Sequence, residues 1–379
     1  MRGPTMRLMR TALIPIASLA LAACSNASSS GGPPGDASTA ADRPESADSS
    51  GPSGQPITAP AEQWTWVPFA NALCGNGAAT GIGINLTTRS RRVLVYLEGG
   101  GGCWSDLTCY TLKTAAHFTT GYSETDFATE STDPHFLALT DGFFDRSSAA
   151  NPFADYSYVF VPYCTGDLHA GDNVVPYPSG TAHHVGFANM TSYLARLVPT
   201  FPAAERVILA GSSAGGFGAL YNWWQTQQAF GAVRVNLIDD SGTFMPPDIE
   251  SKGSGESQLR AQWDLAATLP PGCADCATRL DALYGFFAQQ APDHRGALLS
   301  YVQDSVLPGF FQISTSDFAS GLTEELNTYF VPAANLHSFT NPGTGHVLWF
   351  VPSLMTGNVT VAQFLTEMVT DDANWMSVN

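Results

Sequence analysis

The chain has 379 residues, 44% of them apolar and only 13% charged, and its formal net charge is −17 with lysine confined to Lys113 and Lys252. That length and apolar content allow one large domain with a substantial core. An acidic surface with so few cations repels phosphate backbones, so nucleic acid is not expected as a partner, and a highly anionic polysaccharide is disfavoured more weakly.

The chain opens as an export signal. Arg2, Arg7 and Arg10 form a basic start, and the apolar run 11–20 that follows is too short to span a bilayer. The next residues, Leu21-Ala22-Ala23-Cys24, resemble a bacterial lipoprotein cleavage box. Residues 1–23 are therefore expected to be removed and Cys24 lipidated, which anchors the protein to a membrane of the cell envelope. Residues 24–58 are rich in Ser, Gly, Ala, Pro and Asp and contain no aromatic residue. Such a stretch cannot bury enough apolar surface to offset its ordering entropy and reads as a tether. The catalytic domain is expected to span 59–379.

Within that domain the apolar runs are continuous rather than alternating. Val93–Leu97, Tyr158–Val161, Val207–Ala210 and Val233–Ile238 read as strands buried on both faces of a parallel sheet. Phe310–Ile313 and Leu336–Phe339 are weaker strand candidates. Helical spacing appears in Met190, Leu194, Leu197 and Val198, again after Ser213 through Leu220 and Trp224, and over Leu280–Ala288. Strand and helix in alternation predict a single-domain α/β fold, a mostly parallel central sheet flanked by helices.

The densest chemical signal is Gly211-Ser212-Ser213-Ala214-Gly215-Gly216, directly after one predicted strand and before a predicted helix. This is the context of a nucleophile elbow, in which glycines two residues either side of a strained serine let strand and helix approach. Ser213 is the expected nucleophile and Ser212 a spacer or supporting hydroxyl. The run Glu98-Gly99-Gly100-Gly101-Gly102 follows another predicted strand and can offer backbone N–H groups to an oxyanion. A Walker-type phosphate loop would need Gly-Lys-Ser/Thr, which is absent. Glu98 reads as a structural hydrogen-bonding group.

A serine needs a base, and the base an orienting acid. His294, His337 and His346 follow Ser213. His294 lies in a polar stretch and reads as solvated, and His337 falls inside a predicted strand. His346, in the glycine-rich loop after that strand, is the expected base. Two sets of carboxylates compete for the acid. Asp317 follows the run Phe310–Ile313 and so falls in the loop before the His346 strand, while Asp239 and Asp240 follow the strand Val233–Ile238. Strand counting favours Asp317, although an Asp opening a helix also serves as a cap.

Setting Cys24 aside leaves six cysteines, an even number suited to an oxidising compartment. Proximity in sequence favours pairing Cys103 with Cys109 and Cys273 with Cys276, which leaves Cys74 with Cys164. The spacing Cys273-Ala274-Asp275-Cys276 lacks a second ligand pair for zinc. His183-His184, adjacent residues without a carboxylate at ligand spacing, read as structural or substrate-contacting. Neither a metal nor a cofactor is expected. Most tryptophans read as core, with Trp104 a candidate for the pocket wall.

Several separated segments, in order, resemble the pectin acetylesterase and Notum carboxylesterase family: Tyr96-Leu97-Glu98-Gly99-Gly100-Gly101-Gly102-Cys103-Trp104 with Cys109, Pro162 to Asp167, His183-His184, Gly211 to Gly216, and Asp239-Asp240-Ser241-Gly242. The resemblance covers most of residues 65–355 and implies a metal-free Ser-His-Asp esterase of the α/β-hydrolase type. Carried over, the triad falls on Ser213, Asp317 and His346, and the oxyanion donors on Gly100, Gly101 and Ala214. Gly102 departs from the family, many of whose members carry Trp just before the Cys. The expected reaction is hydrolysis of an ester, foremost removal of an acetyl group from a polysaccharide such as pectin by a monomeric enzyme. The alternatives are a fatty-acyl or lipid carboxylesterase, a peptidase using the same triad, and a catalytically inactive surface-anchored binding protein.

Overall fold

A computed structural model describes residues 54–131, 139–253 and 256–379 of the chain. The expected export signal, Cys24 and the expected tether up to residue 53 lie outside the described residues. The end of the expected tether is packed on the domain: the Gly54 N–H donates to the Ala195 carbonyl (2.9 Å) and the Ile57 N–H to Thr200 Oγ1 (2.7 Å), with Ile57 itself buried. Ordered contacts thus begin before the expected boundary at residue 59, because Ile57 supplies an apolar anchor inside an otherwise polar stretch.

Among the described residues, ten strands of five residues or more organise the domain. In chain order they are β1 (Thr65–Leu73), β2 (Ala79–Asn85), β3 (Arg92–Leu97), β4 (Ser157–Val161), β5 (Asn173–Tyr177), β6 (Gly180–His184), β7 (Arg206–Ser212), β8 (Arg234–Asp240), β9 (Gly296–Tyr301) and β10 (Leu336–Asn341). Eight of them form one sheet in the order β1-β2-β4-β3-β7-β8-β9-β10. The first two pairings, β1 with β2 and β2 with β4, are antiparallel, and all pairings from β4 to β10 are parallel. Strands β5 and β6 form a separate antiparallel hairpin.

The parallel strands are buried on both faces, as their unbroken apolar runs require. Val93, Val95, Leu97, Val207, Leu209, Val235 and Leu237 enter one apolar cluster, while Leu94, Tyr96, Ile208, Ala210 and Ile238 enter the other. The two-residue period of a strand thus feeds two cores at once. Helices Gly186–Thr200, Ala214–Phe230 and Ala282–Gln290 fall on the predicted spacings. Among the described residues, no helix is long and apolar enough to cross a membrane.

Two features depart from the sequence reading. The run Phe310–Ile313, read as a strand, overlaps the end of a short helix, Leu307–Phe311, with Pro308 in its first turn, where a missing N–H costs nothing. The sixth parallel strand is instead β9, whose sequence Gly-Ala-Leu-Leu-Ser-Tyr carries no Val, Ile or Thr to mark it. His294 is half-buried rather than solvated, with its Nδ1 3.1 Å from the Val235 carbonyl. The cysteine pairing follows the expected pattern: Cys74–Cys164, Cys103–Cys109 and Cys273–Cys276.

The chain passes from β3 to its neighbour β4 on one side and later to β7 on the other. The gap between β3 and β7 is thus the point where strand order reverses, and in open α/β sheets ligands bind outside the carboxyl ends of the strands at such a point.

Candidate active site

The segments after β3 and β7 meet at this switch point. Ser213 follows β7 directly, with φ 56 and ψ −123, and opens the helix Ala214–Phe230. Ser213 is the N-cap of that helix, but a positive φ is not the extended backbone usual for a cap; it marks a strained residue, of a kind that clusters at functional sites. The glycines around it have no room for a side chain. A Cβ on Gly211 would lie 2.0 Å from the Gly215 carbonyl oxygen, and one on Gly215 would lie 1.9 Å from that of Leu97. Ser213 N–H donates to the Asp240 carbonyl (2.7 Å), which ties the turn to the end of β8. Ala214 is the first helical residue, so its N–H has no acceptor within the helix.

The glycine loop after β3 lies against this turn. A Cβ on Gly99 would stand 2.5 Å from the Ser212 carbonyl oxygen and 3.0 Å from Ser213 Cβ. Gly100 and Gly101 have φ of 152 and 78, a backbone that side chains resist. The Gly100 carbonyl accepts from Ala116 N–H (2.8 Å), which ties the loop to the segment after the Cys103–Cys109 disulfide. Glu98, at the root of the loop, is buried; its Oε2 accepts from Tyr163 N–H (2.9 Å) and its carbonyl accepts from His169 Nε2 (2.8 Å). Burial pushes the Glu98 carboxyl up to about 8 and the His169 imidazole down to about 4. Glu98 therefore acts in the structure as the hydrogen-bonding group expected of it. The Cys103–Cys109 disulfide closes the segment that follows the loop.

His346 approaches from the loop after β10. Its Nδ1 lies 2.8 Å from Asp304 Oδ2, and its Nε2 is buried without a partner among the described residues. A carboxylate only accepts, so Nδ1 carries the proton and Nε2 presents a lone pair. The loop itself is held by Asp240, whose carboxylate accepts from the N–H groups of Leu348 (2.9 Å) and Trp349 (2.9 Å) and from Ser212 Oγ (2.8 Å). Val347, a β-branched residue, has φ 69 beside His346, a second strained position in the site.

The acid at His346 is thus Asp304, and the expectation for Asp317 is corrected. Asp317 sits in the first turn of helix Thr315–Glu325, where it accepts from Ser314 Oγ (2.6 Å) and pairs with Lys252 Nζ (2.5 Å). Its carboxyl is held below the ordinary value by Lys252 and Ser314. Asp317 is not the cap itself: the N-cap is Ser314, whose Oγ accepts from the Asp317 N–H (3.0 Å), and Asp317 is the third residue of the helix. Asp239 and Asp240 do not hold the imidazole either. Asp239 accepts from Tyr284 Oη (2.6 Å) in the core, where burial pushes it up to about 7. Asp304 is buried three residues beyond β9, with its other oxygen accepting the N–H groups of Val306 (2.8 Å) and Leu307 (2.9 Å). The signal that would have found it is an Asp two residues before a Val-Leu-Pro helix start, once Gly296–Tyr301 is read as a strand.

Ser213, His346 and the glycine loop border one cavity of about 290 Å³, lined by Tyr96, Gly99, Gly100, Gly101, Ser212, Ser213, Val306, His346, Val347 and Phe350. Trp104 is not in its lining. Larger cavities of about 320 and 460 Å³ lie elsewhere and contain no histidine. Three potential ligand atoms from Cys103, Cys109 and His184 lie together in the core, but both sulfurs are in a disulfide and cannot offer a thiolate. His184 Nδ1 instead lies 3.1 Å from the Thr165 carbonyl, and burial pushes the imidazole down to about 4.

The arrangement is able to do nucleophilic acyl chemistry. It combines a serine at a strained turn, an imidazole in the accepting tautomer with a buried carboxylate behind it, and a glycine loop lining the same cavity.

A sequence model of the family described as Pectinacetylesterase matches residues 62–294. The match contains Ser213 and the glycine loop and stops before Asp304 and His346. Among characterised proteins, the chain is 31% identical over 179 residues to the palmitoleoyl-protein carboxylesterase notum2 of Xenopus laevis, covering 45% of this chain and 35% of that protein. It is 28% identical over 188 residues to the palmitoleoyl-protein carboxylesterase NOTUM of Mus musculus (46% and 34%), and 26% over 187 residues to that of Homo sapiens (46% and 35%). The chain spans about a third of the length of these relatives.

Proposed function

The chain belongs to the pectinacetylesterase family, and from that membership and the geometry at Ser213 we propose that it is a serine carboxylic ester hydrolase acting on O-acetyl groups of a polysaccharide. The observation that carries the proposal is the Asp304–His346 hydrogen bond of 2.8 Å beside a left-handed Ser213 in one cavity.

In this reading His346 Nε2 takes the Ser213 proton as Oγ attacks the ester carbonyl. Negative charge collects on the carbonyl oxygen and is met by the N–H groups of Gly100, Gly101 and Ala214. His346 returns the proton to the alcohol oxygen as its bond to the acyl carbon breaks, and the alcohol leaves. Water then attacks the acyl-enzyme with His346 again as base, releasing the carboxylic acid and restoring Ser213 Oγ–H. Asp304 keeps the imidazole in the productive tautomer and stabilises its charged form. No metal or cofactor enters these steps.

Export to the cell envelope with lipidation at Cys24 belongs to the same proposal. It is supported by the sequence before residue 25 and by three disulfides, which persist in an oxidising compartment. A lipid-ester substrate is the second reading, favoured by the palmitoleoyl-protein carboxylesterase relatives.

The test is acetate release from acetylated pectin, acetylated xylan and an aryl acetate by the full chain, beside Ser213→Ala. Release from a polysaccharide that vanishes in the variant supports the reading. Turnover of the aryl acetate alone moves the substrate to other esters. No turnover of any ester by folded protein leaves a binding protein on this scaffold.

A further inference from the structure

One aromatic ring lies behind the glycine loop of the site, just outside the lining of the Ser213 cavity. Gly102, the residue after the loop that borders the Ser213 cavity, is buried, and a Cβ built on it would stand 3.1 Å from Phe310 Cε2 and 3.5 Å from Leu168 Cδ2. Phe310 therefore occupies the space into which a side chain at position 102 would project. It reaches that space from the helix Leu307–Phe311. The residue before that helix, Val306, lines the cavity, and the Phe310 N–H donates to the Val306 carbonyl (3.2 Å). One helical turn thus links the cavity wall to the ring.

Three aromatic rings pack near it. Trp104 lies edge-on at 5.6 Å between centroids, Phe311 at 5.3 Å and Phe217 at 6.2 Å. Phe217 belongs to the first turn of the helix that Ser213 opens, with its N–H on the Ser213 carbonyl (3.2 Å). Phe310 accordingly touches both elements that frame the nucleophile, and an aromatic cluster lies beyond it.

We propose that Phe310 sets the length of the acyl chain: its ring fills the passage beside Gly102 that would lead from Ser213 into the cluster of Trp104, Leu168, Phe217 and Phe311, so the site takes a short acyl group. The proposal rests on the ester-hydrolase reading. Removing the ring would leave an apolar opening in which added methylenes replace aromatic contacts, and a methylene gained in a hydrophobic pocket changes kcat/KM by roughly 10- to 200-fold.

The experiment compares p-nitrophenyl acetate, butyrate and octanoate with the full chain, Phe310→Ala, and Phe310→Leu as a milder change should the first misfold. Wild type is expected to favour acetate or butyrate over octanoate. Phe310→Ala is expected to raise the octanoate-to-acetate ratio of kcat/KM by about tenfold or more, with Phe310→Leu between. An unchanged ratio in a folded variant, or a wild type that cleaves octanoate as readily as acetate, overturns the assignment of Phe310 and leaves the esterase reading standing. A wild type that cleaves none of the three, while Ser213→Ala behaves the same, overturns both.

Discussion

Ser213 and Asp304 stand at the carboxyl edge of one sheet, yet they are held there by opposite means. Ser213 is fixed by its own backbone. Its φ of 56 and the missing side chains of Gly211 and Gly215, whose Cβ atoms would fall 2.0 and 1.9 Å from carbonyl oxygens, leave the turn one conformation. Asp304 is fixed by partners. One oxygen takes two N–H groups of the helix start after it, and the other takes the Nδ1 of His346, 42 residues further on. In the proposed mechanism this division fits the two roles: a nucleophile must meet its target along a defined line and is best set by rigid main chain, whereas an orienting acid needs only to hold one ring.

The largest effect expected is at Ser213 itself. Ser213→Ala should reduce ester turnover by about 10⁵-fold or more, towards what the glycine loop and binding alone supply. Ser212→Ala removes a hydroxyl that donates to Asp240 and should keep most of the activity. A Ser213→Ala protein with near wild-type turnover would remove the elbow from the chemistry altogether.

The acid side breaks differently. Asp304→Asn keeps the shape but lets the imidazole settle in the wrong tautomer, and should lower kcat by about 10⁴-fold with KM little changed. Asp317→Asn, at a carboxylate that pairs with Ser314 and Lys252 rather than His346, should leave kcat where it is. Steady-state kinetics on the two variants side by side decide between the carboxylates; the reverse ranking would return the role to Asp317.

Glycine substitutions sharpen the contrast in stability rather than rate. Gly215→Ala forces a Cβ into the Leu97 carbonyl and should cost upwards of about 3 kcal/mol or prevent folding. Gly309→Ala, in the helix that Asp304 caps, meets nothing within 4 Å and should range from no change to a gain of about 1 kcal/mol. Urea denaturation of both variants measures this. A tolerated Gly215→Ala would mean that the turn has more freedom than its contacts imply.

The same contrast explains what the sequence made legible. A turn that needs glycine at two positions and a serine between them shows in six consecutive residues, as does the glycine loop after β3. The family match likewise ends at residue 294, short of both Asp304 and His346. The acid was misplaced through a chain of small physical ambiguities. The aromatic run at Phe310 imitates a strand, while β9 lacks the branched residues that would mark one, so counting strands pointed one loop too far. His346 lies in the loop after a strand, where it was expected, because β10 was read correctly and its loop carries glycines. The role of Asp240 was not visible at all: its carboxylate holds the backbone of Leu348 and Trp349, and N–H groups leave no trace in side-chain patterns.

The smallest effect expected is a slope against pH, and it concerns how the Ser213 side is anchored. Glu98 begins the glycine loop, and burial raises its carboxyl from an ordinary 4.5 to about 8. The folded chain therefore keeps a proton that the unfolded chain gives up above about 4.5. The stability this contributes is fully present below 4.5 and is lost as pH climbs through about 8. His169, whose Nε2 donates to the Glu98 carbonyl, is shifted the other way by burial, from 6.5 to about 4. Unfolding takes up its proton, so its contribution holds above 6.5 and is lost as pH falls through about 4. Glu98→Gln retains an acceptor for Tyr163 N–H and cannot titrate. Urea midpoints between pH 6.5 and 8 should decline with rising pH in the wild type and stay flatter in Glu98→Gln, while the fall below pH 6.5, set by His169 and the similarly buried His184, should persist in both. Equal slopes for the two proteins would mean that the carboxylate under the glycine loop is already ionised in the fold, and that the loop is anchored to a charge rather than to a neutral acid.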